Sequence, residues 1–99
     1  MKRPLLALSL LAVSAIAAAH DDDWCADAVD FSMGAAQNRE IGYPLDIVVS
    51  SLDRNPGYYQ RMFESLSVAD MKQLTTRVYA QRWTRFQAAL SVTESCEPQ

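Results

Sequence analysis

The sequence is poor in the residues on which most enzyme and metal sites depend. Of its 99 residues only His20 is a histidine, two are cysteines and three are glycines. A catalytic triad and a multi-histidine zinc site therefore lack parts. A phosphate-binding glycine loop, the serine elbow of hydrolases and a pair of histidine metal ligands at helical spacing are also missing. The sequence predicts a protein that is not an enzyme and that needs no cofactor.

Basic residues are also few. Nine lysines and arginines stand against twelve aspartates and glutamates, which gives a formal net charge of −3. This balance argues against a nucleic-acid-binding protein, whose affinity needs a basic surface. The length excludes the large nucleotide-binding and barrel folds and fits one small domain. Nine aromatic residues and many aliphatic ones indicate a packed core.

The one long apolar run lies at the N-terminus. Two basic residues open the chain, and an apolar run over residues 5–16 and three alanines at 17–19 follow. This order is typical of a secretory signal peptide, and the run is shorter than the roughly 20 residues of a membrane-spanning helix. We expect a signal peptide over residues 1–19 and a mature domain over 20–99. The mature protein is expected in the periplasm or outside the cell, with no membrane attachment after cleavage.

The two cysteines, Cys25 and Cys96, lie near the two ends of the mature domain. Exported proteins reach an oxidising compartment, where two cysteines have one intramolecular pairing. A redox-active pair would need close spacing, which is absent here. We therefore expect a structural Cys25–Cys96 disulfide, which a core of this size needs for stability.

Apolar side chains at helical spacing predict an all-α fold of four or five short helices. The first helix covers residues 24–40 and ends at Gly42. Pro44 begins the second helix as its first residue. Asn55 is expected to cap a third helix that begins at Pro56.

The later helices are marked by capping residues and an apolar face. Ser67 and Asp70 have the spacing of a capping box that opens the fourth helix. Thr84 and Gln87 permit a new cap or a kink near residue 83. The side chains expected on the apolar face are Tyr59, Met62, Phe63, Leu66, Met71, Leu74, Val78, Tyr79, Trp83, Phe86 and Leu90.

Charge is unevenly distributed along the chain. Residues 20–53 carry eight acidic residues against one arginine, whereas residues 71–93 carry four basic residues and no acidic one. This asymmetry is suited to orienting a protein partner or a second copy of the chain. The alternatives are complementary faces within one molecule and plain solvation. The candidate partner patch consists of Arg77, Arg82, Arg85 and an exposed Tyr58, with Arg54 or Arg61 beside the tyrosine.

The first helix carries two further candidates. Asp23, Asp27 and Asp30 share one face by their spacing, and such carboxylates can perform acid–base chemistry or bind calcium. A row on the polar face of a helix is more often solvated. Arg39 lies on the apolar side near the helix end, and we expect it, with Gly42, to serve the structure by contacting carbonyl groups or a carboxylate.

The N-terminus offers one metal hypothesis. If the leader is cleaved after Ala17, the chain begins Ala18-Ala19-His20, whose amine, amides and imidazole suit Cu(II) or Ni(II). If cleavage follows Ala19, His20 carries the free amine and the chelate has only two nitrogens. A solvated acidic tail is the alternative.

A set of short motifs runs through most of the mature chain. It consists of Cys25, Ala35-Ala36, Arg39 and Gly42 in the form Arg-x-x-Gly, Val78-Tyr79-Ala80 and Cys96. In this pattern the chain resembles a group of small exported bacterial proteins of unknown function. The resemblance implies export, a helical fold and a disulfide, but no activity. Those proteins often carry prolines after the Val-Tyr pair, where this chain has Arg82-Trp83-Thr84-Arg85.

These observations predict a non-enzymatic, protein-binding module of the inhibitor or immunity type. An acid-responsive periplasmic chaperone is the alternative, because twelve carboxylates that lose their charge below about pH 4 would leave a cationic, loosened molecule. The metal-binding terminus is the third hypothesis.

Overall fold

The structure, a computed structural model, describes residues 21–96 and is all-α over that range. Its five helices are α1 Asp22–Ile41, α2 Leu45–Arg54, α3 Pro56–Met62, α4 Val68–Gln81 and α5 Arg85–Cys96. The predicted fold class is confirmed. None of these helices is both long and apolar enough to cross a membrane. The expected signal peptide over 1–19 and the candidate metal ligand His20 lie outside the described residues.

Both ends of α1 are set by local chemistry. The Asp21 carboxylate accepts a hydrogen bond of 2.8 Å from the backbone N–H of Trp24. Because this cap satisfies a free amide, the helix begins two residues earlier than predicted, at Asp22. Gly42 has the left-handed backbone expected of a helix terminator, with φ of 112°, and its N–H donates to the carbonyl of Arg39.

The second and third helices differ in detail from the prediction. Pro44 lies just before α2 as its N-terminal cap, one position earlier than expected. Pro56 begins α3 as predicted, but the Asn55 side chain does not cap it and instead donates to the carbonyl of Ser51 at 3.5 Å. The third helix is also shorter than its apolar pattern suggests, because it ends at Met62.

Two pairs of side chains cap the starts of the two C-terminal helices, α4 and α5. Ser67 and Asp70 form the predicted capping box, with both hydrogen bonds at 3.0 Å. Thr84 and Gln87 form a second one, with bonds of 3.0 and 3.1 Å. Between them Arg82 adopts the left-handed conformation with φ of 54° and ends α4. Thr84 and Gln87 therefore form the new cap that their sequence positions permit near residue 83.

The core lies around α1, which packs against α4 and α5, while α4 also packs against α2. Its buried apolar residues are Ala28, Phe31, Ala35, Ala36, Leu52, Leu66, Met71, Leu74, Val78, Ala88 and Val92. Alanines on both α1 and α5 allow these two helices to approach closely. The predicted Cys25–Cys96 disulfide is present and joins the first turns of α1 to the last residue of α5, with a Cα–Cα distance of 5.9 Å.

Ser32 is a polar residue in this core whose replacement should stabilise the protein. Its side chain is fully buried, and its hydroxyl has no hydrogen-bond partner among the described residues. Leaving a buried hydroxyl unpaired costs about 1–3 kcal/mol, so we expect Ser32→Ala to raise the free energy of unfolding by about 1 kcal/mol. Urea unfolding followed by far-UV circular dichroism measures the change.

The matched control is Thr75, which is equally buried but donates to the carbonyl of Met71 at 2.8 Å. Because its hydroxyl is already paired, Thr75→Val should bring no comparable gain. A loss of stability in Ser32→Ala would show that the Ser32 hydroxyl is not an unsatisfied group.

Candidate functional site

An open groove lies between the C-terminal half of α1 and the α2–α3 pair, with a volume of about 410 Å³. Ligand sites commonly measure about 300–1,000 Å³. We call it the α1–α3 groove. Apolar side chains dominate its lining, and three of them are more than half exposed, with 63% for Ile41, 54% for Tyr58 and 54% for Met62. Such a cluster of exposed apolar side chains is typical of a binding surface.

The short third helix explains this exposure. Because α3 ends at Met62 after seven residues, only part of its surface meets the core. Tyr59 and the following Phe63 pack against buried residues, whereas Tyr58 and Met62 are exposed. Met62 was expected on the apolar face with Tyr59 and Phe63, but it is exposed for this reason. The predicted exposure of Tyr58 is confirmed.

The α3 wall of the groove is held in place by specific contacts. The Tyr59 hydroxyl and the Ser51 hydroxyl share a hydrogen bond of 2.8 Å. The rings of Tyr58 and Tyr59 meet edge to face, with centroids 5.3 Å apart, and those of Phe31 and Phe63 do the same at 5.3 Å. Contacts within the chain therefore hold this wall in place.

Gly34 leaves the α1 side of the groove open. It lies in the interior of α1, and a Cβ added there would meet no atom within 4 Å. A glycine in a helix interior costs about 1 kcal/mol relative to alanine. Packing within the chain does not require a glycine at this position. The sequence analysis gave Gly34 no role, although an isolated glycine in a helical pattern was the available signal.

An acidic depression of about 390 Å³ adjoins the groove, and Met62 lines both. Carboxylates of Asp23, Asp27 and Glu64 line this depression, with Arg61 as its one basic residue. Asp27 also accepts a hydrogen bond of 3.0 Å from the backbone N–H of Ser65. The interpretation of Asp23, Asp27 and Asp30 as a merely solvated row is therefore wrong for Asp27.

Arg39 connects α1 to the turn between α4 and α5. One guanidinium nitrogen, Nη2, donates to the carbonyl oxygens of Arg82 at 3.2 Å and Trp83 at 3.1 Å. These carbonyls follow the last turn of α4, where the helix dipole is negative. The half-buried side chain thus contacts carbonyl groups, one of the two structural roles considered from the sequence, and it does not line the groove.

Tyr79 makes the folded protein less stable at alkaline pH. Its hydroxyl donates to the carbonyl of Tyr43 at 2.7 Å, and burial raises its pKa above 10.0 although the charge of Arg39 acts in the opposite direction. The unfolded chain therefore loses this proton first. The stability that Tyr79 contributes is fully present below pH 10.0 and is lost as the pH rises through the folded-state pKa.

We expect Tyr79→Phe to cost about 1 kcal/mol at neutral pH through the lost hydrogen bond. The variant should also lose less stability than the parent protein when the pH is raised above 10.0. Urea unfolding across this pH range tests both points, with the exposed Tyr58→Phe as the control. Parallel pH profiles for Tyr79→Phe and the parent protein would contradict the prediction.

The structure does not gather the predicted partner patch at one place. Arg77 borders a different pocket, beside Trp24 and Cys96. Arg82 ends α4 and Arg85 begins α5. Tyr58 lines the α1–α3 groove, and none of the three arginines does.

The outer side of α5 carries an exposed apolar pair, Phe86 and Leu90, with 74% and 50% exposure. We call this pair the α5 ridge. Both were expected on the apolar face of a helix. They are nevertheless exposed, because the break after Arg82 starts a new helix whose buried side is formed by Ala88 and Val92.

Neither a cluster of metal ligands nor a known relative identifies the site. Among residues 21–96, no three His, Cys, Asp or Glu side chains come together in a way that could hold a metal ion. Comparison of the chain with protein-family models, curated proteins and solved structures found no match. The groove, the acidic depression and the α5 ridge are the exposed surface features that the described residues offer for binding.

Proposed function

We propose that this protein is an exported, non-enzymatic binding module of the inhibitor or immunity type, and that its α1–α3 groove receives an amphipathic helix of a protein partner. The observation that carries the proposal is Gly34, a destabilising helix-interior glycine that no internal contact requires and that borders an exposed apolar groove. Export is supported by the signal-like leader over residues 1–19 and by the Cys25–Cys96 disulfide.

The shape of the surface favours a helical partner. The acidic depression and the groove follow α1 from Asp23 to Ile41, a length of about 27 Å at the rise of an α-helix. A partner helix of about five turns covers this length. Recognition of an amphipathic helix by an apolar groove is a common binding mode.

The chemistry of the surface defines the side chains of that partner. Tyrosine and methionine, which line the groove, are enriched in the centres of protein interfaces, and methionine adapts to varied apolar shapes. Asp23, Asp27 and Glu64 lie at the other end and attract basic side chains. The partner helix should therefore be basic at one end and aromatic or aliphatic at the other.

A designed peptide tests this proposal. The probe is a fluorescent helical peptide of about 18 residues, with arginines in its first turns and phenylalanine and leucine on one face of its later turns. We expect saturable binding by fluorescence anisotropy that weakens as salt is added, since exposed charges are screened. A peptide with glutamates in place of the arginines should bind at least about tenfold more weakly.

The groove is tested with a matched pair of variants. Gly34→Leu places a good helix former in the groove and should weaken peptide binding at least about tenfold while α1 remains stable. Ala80→Leu adds a similar side chain at an exposed position of α4, outside the groove, and should leave binding unchanged. Equal affinities of the two variants, or equal binding of a scrambled peptide, would overturn the proposal.

The acid-responsive chaperone is a second candidate, because carboxylates make several of the hydrogen bonds that connect the helices and loops. Asp27 contacts the loop at Ser65, and Asp70 accepts hydrogen bonds from both Ser67 and the Trp24 indole. Protonation would remove these charge-assisted contacts and loosen the helices. Near-UV circular dichroism and binding of an apolar dye should then change on acidification, and unchanged signals down to about pH 2 would reject this candidate.

A further inference from the structure

We infer that the α1–α3 groove of one copy of this protein receives the α5 ridge of another copy, so that the protein associates head to tail. The inference rests on the proposed role of the groove and assigns its occupant to a surface of the same chain. Both surfaces are apolar, exposed and without a covering element among residues 21–96.

The α5 ridge has the form of a helix that binds in a groove. Phe86 and Leu90 lie one turn apart on the same side of α5 and are 74% and 50% exposed. The opposite side, with Ala88 and Val92, packs inside the protein. An aromatic and an aliphatic side chain at this spacing are the usual anchors of helix-in-groove recognition.

The charges of the two surfaces are complementary and occur in the same order. Arg82 and Arg85 precede Phe86 along the chain, and neither has an acidic partner among the described ion pairs. On α1 the carboxylates of Asp23 and Asp27 precede the apolar groove. When the partner's α5 lies parallel to α1, basic residues meet the acidic depression and apolar residues meet the groove.

A copy cannot fill its own groove. At the helical angle of 100° per residue, Gly34 and Ile41 lie on the side of α1 opposite Cys25 and Ala36. Cys25 is bonded to Cys96 at the end of α5, and Ala36 packs in a cluster with Ala88 of α5. The disulfide and this packing hold α5 on the far side of α1 from the groove.

This placement also determines the form of the assembly. Each copy presents its groove and its ridge in roughly opposite directions, so one contact leaves a free groove on one copy and a free ridge on the other. Contacts between unlike surfaces of this kind produce rings when they close and open chains when they do not. The association should therefore grow with concentration beyond a dimer.

Sedimentation velocity of the mature, oxidised protein tests the inference. We expect the weight-average mass to rise with protein concentration to more than about twice the mass of the monomer. Added salt should lower this mass again. Gly34→Leu blocks the groove, and Phe86→Asp removes the ridge at a position too exposed to support the core. Each variant alone should remain monomeric, while Ala80→Leu should associate like the parent protein.

Mixing the two blocked variants is the decisive measurement. Gly34→Leu keeps an intact ridge and Phe86→Asp keeps an intact groove, so an equimolar mixture should form a dimer and nothing larger. Association of either variant alone, failure of the mixture to pair, or larger species in the mixture would overturn the inference. Far-UV circular dichroism confirms that both variants are folded.

The outcomes separate this inference from the proposed function. A parent protein that stays monomeric at every concentration overturns the self-association, and the binding module stands if the designed peptide still binds and Gly34→Leu still weakens it. If neither the peptide nor a second copy occupies the groove, both conclusions fail.

Discussion

Removal of the Cys25–Cys96 disulfide is expected to lower the free energy of unfolding by about 4 kcal/mol. The bond closes a loop with a sequence separation of 71 residues, and it restricts the unfolded chain far more than the folded one. Folded proteins have a total stability of about 5–15 kcal/mol, and small domains lie at the low end. The reduced protein should therefore be largely unfolded near physiological temperature.

Thermal and urea unfolding of the oxidised protein, with and without a thiol reductant, measure this effect. The Cys25→Ser/Cys96→Ser double variant should match the reduced parent protein and should not respond to the reductant. Equal unfolding midpoints for the oxidised and reduced forms would show that the helices hold together without the bond.

Replacement of Arg39 by methionine is expected to cost about 2 kcal/mol. The guanidinium makes two charge-assisted hydrogen bonds, to the carbonyls of Arg82 and Trp83, and these carbonyls belong to the turn that starts α5. Methionine keeps much of the apolar stem but leaves both carbonyls without this donor. Arg39→Lys retains the charge on a side chain that is shorter and lacks the planar guanidinium, so it should recover only part of the loss.

Urea unfolding followed by far-UV circular dichroism measures the loss, and Arg85→Met serves as the control. Arg85 is an exposed arginine at the start of α5, so its replacement should change stability by less than about 0.5 kcal/mol. Similar values for Arg39→Met and Arg85→Met would mean that the two hydrogen bonds contribute nothing measurable.

The two proposals assign different roles to the acidic and the basic parts of the chain. In these proposals, the carboxylates on α1 attract a basic helix to the groove, and the arginines before the α5 ridge make that ridge a suitable occupant. A foreign partner with a similar basic and apolar helix would compete with self-association for the same groove. Such competition would make the free groove available only when the protein is dilute or the partner binds more tightly.

Helix limits were predictable from the sequence wherever they depend on local chemistry. The left-handed Gly42 and the capping box of Ser67 and Asp70 act within a few residues, so their sequence signals were sufficient. The cap at Asp21 was missed because a run of three aspartates offers several equivalent capping residues. The disulfide followed from the presence of only two cysteines in a chain whose leader resembles a signal peptide.

Burial was less predictable, because it depends on which helices pack together. Met62 and Phe86 have the spacing of core residues, yet both are exposed. A short α3 leaves one side without a neighbour, and the break after Arg82 turns α5 so that its small residues face α1. Periodicity indicates that a helix has an apolar side, but it does not show whether another helix covers that side.

By itself, the sequence determined the helical class, the disulfide pairing and most helix limits, because each depends on residue type and short-range spacing. Only the tertiary structure decided that Gly34 borders a groove, that Arg39 contacts the α4–α5 turn, and that Phe86 lies on the surface. These features depend on contacts between residues distant in the chain. The angle and phase at which one helix meets another arise from packing of the whole core, which local patterns do not encode.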